Sequence, residues 1–224
     1  MPDDQAGARS DTRSVRPDAA PRVLSVNVGA VREVEWRGRW VRTGIWKQPV
    51  AGCVALRGVN LDGDDQADRS VHGGADKAVY AYAREDYEFW RAREGMDTPA
   101  GLFGENLTVE GIELSSALVG EQWRVGSTVL EVAQPRLPCF KLGIRMGDSH
   151  FPKKFLSAAR PGAYLRVVQE GEVGANDAVQ VTFRPGHGVT LRTMMLALRD
   201  PEKAATLLRA SRLPEFWRRV AEAQ

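Results

Sequence analysis

Between Arg22 and Arg184, apolar and polar residues alternate over short runs that glycines break up. Val23-Leu24-Ser25-Val26-Asn27-Val28, ahead of Gly29-Ala30, predicts a strand. Residues 31–36 and 40–46 flank Arg37-Gly38-Arg39 as a hairpin. The same period runs through 54–56, 78–82, 106–109, 122–125, 128–133, 163–168 and 179–183. Turns are expected at Val125-Gly126-Ser127 and Glu170-Gly171-Glu172. Strands this short, punctuated this often, predict a mainly β fold with some α: a distorted, closed or nearly closed β-barrel. Two helices interrupt it. Residues 84–94 place Tyr87, Phe89 and Trp90 on a broad apolar face and stop at Gly95, and residues 151–159 stop before Pro161-Gly162.

After Arg184-Pro185-Gly186-His187-Gly188 the period changes. Residues 189–198, 200–210 and 213–223 carry apolar side chains three and four apart. Asp200 with Pro201 opens the second of these helices, and Ser211 with Pro214 and Glu215 opens the third. All three are too short to stand alone, so they should pack together or on the barrel. The chain therefore divides into a tail (1–21), a barrel domain (22–186) and a small three-helix appendage (187–224). The tail is rich in Asp, Arg, Ala and Pro and has no apolar core segment, so it reads as mobile and not as a secretory signal.

Composition narrows the function classes. With 43% hydrophobic and 27% charged residues and a formal charge of +2 over 224 residues, the chain reads as a soluble globular protein. Neither nucleic acid nor a membrane is expected as a partner, because the basic residues form no run and no stretch nears the roughly 20 apolar residues of a span. Two cysteines cannot build a disulfide framework and suit a reducing cytoplasm.

Two segments concentrate chemistry. In Gln134-Pro135-Arg136-Leu137-Pro138-Cys139-Phe140-Lys141-Leu142, the prolines hold the chain extended and off a sheet ladder. Arg136 and Lys141 flank the thiol; such cations favour thiolate over thiol and can also hold a phosphate. The alternative is that Cys139 is a small buried hydrophobe. The second segment, residues 63–80, sets Gly73-Gly74 between His72 and Lys77, with Asp64 and Asp68 able to orient them. Adjacent glycines let backbone amides approach an anion, although a solvated turn capped by aspartates would look similar. The spacing fits no EF-hand, dinucleotide fingerprint or P-loop, and three scattered histidines with two distant cysteines give no zinc pattern. Lys47 before Pro49, Asn106 after Gly104-Glu105, and Arg166 each allow either a ligand contact or an ordinary structural role. Cys53 is expected in the core, with His150 and His187 in loops.

Taken in order, these segments resemble one family. Lys47-x-Pro49-Val50-x-Gly52, Gly63-Asp64-x-Gln66-Ala67-Asp68 and His72-Gly73-Gly74-x-Asp76-Lys77 come first. Gly104-Glu105-Asn106-Leu107, Pro135-Arg136-x-Pro138-Cys139-x-Lys141 and Gly162-x-Tyr164-Leu165-Arg166-Val167 follow. The set resembles the MOSC domain, named for the molybdenum-cofactor sulfurase C-terminus, in its YiiM-like branch. The likeness runs from about Arg22 through the three-helix tail. It implies a distorted β-barrel in which Cys139 ligates molybdenum held by molybdopterin. It also implies reduction of N-hydroxylated nucleobases, such as 6-N-hydroxylaminopurine, to amines. His72 and Asp68 would join Cys139 as catalytic residues, and Lys47, Gly73, Gly74, Lys77, Asn106, Arg136, Lys141 and Arg166 would bind the cofactor. Electrons would come from a separate reductase, since two cysteines cannot hold a four-cysteine cluster; a homodimer is compatible with the reading. The sequence departs from the family at Leu137, where some members carry serine, and in its tail. Two other functions keep the same residues: a sulfur carrier with a Cys139 persulfide, and a non-catalytic barrel that binds an anionic ligand.

Overall fold

A computed structural model of the chain describes residues 20–67 and 73–223. Among them the chain forms thirteen strands and six α-helices. The first strands are β1 (Arg22–Val28), β2 (Arg32–Trp36), β3 (Arg39–Thr43), β4 (Gln48–Pro49), β5 (Cys53–Arg57), β6 (Asn60–Leu61) and β7 (Val79–Ala83). Helix α1 (Arg84–Glu94) leads to β8 (Leu107–Glu110), β9 (Gln122–Val125) and β10 (Thr128–Gln134). Helices α2 (Phe140–Met146) and α3 (Phe151–Ala158) precede β11 (Ala163–Gln169), β12 (Gly171–Gly174) and β13 (Val179–Phe183). The chain closes with α4 (Leu191–Ala197), α5 (Pro201–Thr206) and α6 (Glu215–Glu222). No helix among the described residues is long and apolar enough to cross a membrane.

Eight strands form one sheet in the order β13-β9-β10-β11-β7-β8-β1-β4. All neighbours are antiparallel except β7 and β8, which run parallel and are joined through α1. The sheet curls into a half-barrel, and among the described residues its two ends are not joined by the continuous ladder of a closed barrel. Its outer strand β4 is two residues long and contains Pro49, which has no N–H with which to extend a ladder. The gap is spanned by an isolated Arg22–Ala178 bridge and by bonds such as Val23 N to Asp177 O at 2.9 Å.

Local sequence accounts for several elements. The β2–β3 hairpin turns at Arg37 and Gly38, both with positive φ, the conformation that a two-residue hairpin needs to match strand twist. Strand β7 is buried on both faces, and its period of two divides its side chains between two cores. Val79, Ala81 and Ala83 join an aliphatic core, while Tyr80 and Tyr82 join an aromatic one. The aromatic core packs α1 and α3 through Tyr87, Trp90, Phe103 and Phe155; the Tyr82 and Phe103 rings lie 4.4 Å apart. The aliphatic core runs from the sheet (Trp123, Leu130, Val132) into the C-terminal helices (Leu191, Met194, Leu207, Trp217), so these helices share the sheet's core.

Two local expectations need correction, and one helix was not anticipated. Residues 170–172 do not form a turn: Gly171 begins β12, which pairs with β5 in a separate three-stranded sheet. Only glycine fits there, since a Cβ would stand 2.5 Å from Ser127 Oγ. Cys53 is exposed at the start of β5, not in the core. Helix α2, directly after Cys139, was not legible, because the prolines and flanking cations obscure a helix of two turns.

Candidate functional site

Strand β10 ends at Gln134, and residues 135–139 continue as irregular chain before α2 begins at Phe140. Pro138 disfavours helical backbone at Leu137, and Cys139 itself stays extended at φ −124° and ψ 175°. The half-buried thiol therefore stands where the sheet ends and a helix starts. Two chambers meet there.

The inner chamber has a volume of about 90 Å³. Its wall holds four cationic side chains, Lys47, Lys77, Arg136 and Lys141, against two carboxylates, Asp64 and Asp65; Tyr80, Asn106, Cys139 and Tyr164 complete the reactive part of the lining. A buried network fixes one side. Asp64 accepts Lys47 Nζ and the Gly29 amide (2.9 Å) on one oxygen, and Asn106 Nδ2 (2.9 Å) on the other. Asn106 also accepts the Tyr80 amide at 3.1 Å, which ties β7 to the Lys47 loop. Burial lowers the Lys47 pKa, with Asp64 acting in the opposite sense. Fully buried Glu105 accepts Tyr87 Oη, the Gly101 amide (2.7 Å) and Thr108 Oγ1 (2.8 Å), all on Oε1, while Oε2 is buried without a partner. Burial accordingly raises its pKa despite those donors.

Arg136 donates to the Phe103 carbonyl and lies 4.9 Å over the Tyr80 ring. Burial disfavours its charge, but Tyr80, Tyr164 and Cys139 outweigh that effect and hold its pKa above the ordinary value. Half-buried Lys77 is pushed down by burial, with Asp76 opposing.

The outer chamber is larger, about 600 Å³, and shares Lys77, Cys139 and Tyr164 with the inner one. Gly73, Gly74, Leu137, Pro138, Pro214 and Phe216 line the rest of it with Asp76, Gln134 and Glu215. Among the described residues, no group of three His, Cys, Asp or Glu side chains is placed to hold a metal ion. A metal at Cys139 would therefore need ligands brought by a cofactor.

The structure brings Lys47, Lys77, Asn106, Arg136, Cys139 and Lys141 to one chamber, and Gly73 and Gly74 to the other. It does not bring Arg166 to either wall. That side chain pairs with Asp76 at 2.6 Å and Glu131 at 2.7 Å and donates to Arg212 O at 3.0 Å, bracing the Ala75–Lys77 turn from behind. His72 and Asp68 lie outside the described residues. His187, expected as a plain loop residue, bonds Val119 O at 2.9 Å and accepts the Val189 amide, fixing the entry to α4. Sequence reasoning missed Tyr80, Glu105, Pro214 and Phe216. The alternation of Tyr80 and Tyr82 was a usable signal for the first. Nothing local points to the last two, which are more than seventy residues from Cys139 in the chain and join its chamber only by folding.

A family model described as the MOSC domain matches residues 68–180. The chain is 36% identical to YflK of Bacillus subtilis strain 168 over 76% of its own length and 77% of that protein. It is 31% identical to YiiM of Escherichia coli K12, over 80% of this chain and 83% of that protein. A protein of Gibberella moniliformis named "Reductase" is 31% identical over 73% of this chain, but the match spans only 29% of that longer protein. Among solved structures, YiiM from Geobacillus stearothermophilus superposes with a TM-score of 0.74 at 26% identity, covering 91% of this chain and 98% of that one.

Proposed function

The chain belongs to the MOSC domain family, and from that membership we propose that it is a molybdenum-cofactor-dependent reductase of N-hydroxylated compounds. The observation that carries the reading is the place of Cys139: a half-buried thiol at the junction of a cation-rich chamber and a larger open one. The donor set suits the cofactor. A thiolate is a soft ligand matched to a thiophilic metal. The excess of four cations over two carboxylates suits an anionic pterin phosphate. Bound there, the molybdenum cofactor would supply the two-electron chemistry that removes oxygen from an N–O bond.

The chain's own residues would bind, orient and move protons. Cys139 Sγ would anchor the metal. Lys141 and Arg136 would hold the phosphate. Lys47 and Asn106, already bound to Asp64, would act mainly by keeping that wall rigid. The depressed pKa of Lys77 makes its Nζ a readier proton donor to the departing oxygen than an exposed lysine. His72 and Asp68, outside the described residues, would be the candidates for further proton delivery. Electrons would come from a separate reductase in the cytoplasm.

The test is molybdenum and pterin content of wild type and Cys139→Ala made in a cofactor-competent host, with turnover of 6-N-hydroxylaminopurine in a reductase-coupled assay. Wild type should carry stoichiometric molybdenum and turn over, and the variant should fold but do neither. Wild-type turnover by Cys139→Ala would overturn the reading, and a persulfide on Cys139 without metal would replace it with sulfur transfer.

A further inference from the structure

We propose that helix α6 is a selectivity wall of the reaction site, with Phe216 stacking on flat, aromatic N-hydroxylated substrates in the outer chamber. The proposal rests on the reductase reading for the reaction and on the following geometry for the wall. Phe216 lines the chamber that contains Cys139, yet is 51% exposed, an apolar ring left largely uncovered on that wall. Its neighbour holds it there. Trp217 is fully buried and donates Nε1 to Gln134 Oε1 at 3.0 Å, on the strand that leads to Cys139. The Phe216 ring meets the Trp217 ring edge-on at 5.3 Å, so the buried indole helps fix its orientation. The C-terminal helix is thereby keyed to the Cys139 segment by a side-chain bond, and the wall it presents does not depend on helix packing alone.

Away from the Lys77, Cys139 and Tyr164 shared with the inner chamber, the outer chamber's polar side chains are engaged within the protein. Gln134 is bound by Trp217 and donates to Asp76 O at 3.2 Å; Asp76 is paired with Arg166, and Glu215 with Arg219 at 3.0 Å. Leu137, Pro138 and Pro214 supply apolar surface. A wall of this kind recognises the face of a ring and not the hydrogen-bonding pattern of its edge. It favours flat aromatic substrates as a class over small aliphatic ones and discriminates little among different flat rings.

The experiment compares benzamidoxime with acetamidoxime, which share the reacting group and differ in the ring. The cofactor-loaded wild type and Phe216→Ala, Phe216→Trp and Leu137→Ser variants are assayed for kcat/KM, and both probes are measured by equilibrium dialysis. In wild type the ratio of kcat/KM should favour benzamidoxime. Phe216→Ala should lower that ratio on the order of tenfold, mainly through KM, as loss of an aromatic stacking partner does. Phe216→Trp should retain the ratio, and Leu137→Ser should lower it less. Equal losses on both probes, or an unchanged ratio in Phe216→Ala, would overturn the proposal. If wild type turns over neither probe nor 6-N-hydroxylaminopurine, the reductase reading fails alone. Dialysis still decides the wall: preferential benzamidoxime binding that is lost in Phe216→Ala upholds it, and equal binding of the two probes defeats it.

Discussion

One side of the inner chamber is walled by the buried charges Lys47, Asp64 and Arg136, whose partners come from the sheet and its loops, whereas the outer chamber's wall includes prolines and an uncovered phenylalanine on the last helix. Lys47, Asp64, Asn106 and Arg136 are each under 10% exposed and each bonded to a specific group. Phe216 and Leu137 touch the cavity as apolar surface, and the helix behind them is fastened through Trp217–Gln134 and Arg212–Glu131. The difference separates two tasks. A buried ionic network has few acceptable geometries, which suits a fixed group that must sit in one place. Apolar surface tolerates variation in what rests on it, which suits a ligand that changes from turnover to turnover.

The comparison can be broken at its strongest point first. Asp64→Ala leaves Lys47 buried without its counter-charge and frees Asn106 and the Gly29 amide as well. Loss of one partner of a buried pair should cost about 3–5 kcal/mol in urea denaturation. On the helix side, Arg212→Ala removes a side chain that is 60% exposed, and Glu131 keeps its bond to Arg166. The cost there should stay under about 1 kcal/mol. Comparable costs for the two variants would erase the contrast.

The regions should also respond to pH in opposite senses. Glu105 is held above its ordinary 4.5 by burial, so the folded chain keeps a proton that the unfolded chain has lost. Its contribution is therefore lost as pH rises from 4.5 through the folded value, and Glu105→Gln should remove that loss. Glu131 is held below 4.5: burial works to raise it, but the Arg166, Arg212 and Gln122 donors prevail. Its contribution is present above 4.5 and is lost as pH falls through the folded value, so Glu131→Gln should flatten the acid limb. Urea midpoints for both variants and wild type between pH 3.5 and 8 measure this; slopes of the same sign would contradict the burial argument.

The smallest effect should come from salt. Raising ionic strength screens Arg212–Glu131, where the arginine is mostly exposed, but barely reaches Lys47–Asp64. Hydrogen exchange in α6 should quicken slightly with salt while that of β7 holds.

Much of this molecule was legible in its sequence, for reasons that can be stated element by element. Period two placed β7, and Gly95 ended α1 at its true last residue, because both signals are local. The ordered motifs gathered Lys47, Lys77, Asn106, Arg136, Cys139 and Lys141 as site residues, and the fold brings all six to one chamber. Sheet closure was not legible. Strand pattern counts strands but does not say how the ends of the sheet meet, and here they meet only through the Arg22–Ala178 bridge and its neighbouring bonds. The place of Arg166 was hidden as well, since its three partners lie at positions 76, 131 and 212.

The sequence by itself determined that this is a mainly β chain with a helical end and a cysteine set among cations, because periodicity and neighbouring charge act within a few residues. Only the tertiary structure decided which cations line the chamber and which brace it, and that Phe216 lines one chamber with Cys139. Those facts depend on side chains far apart in the chain competing for the same buried partners, and a buried charge or an uncovered ring is defined only once the rest of the protein has packed around it.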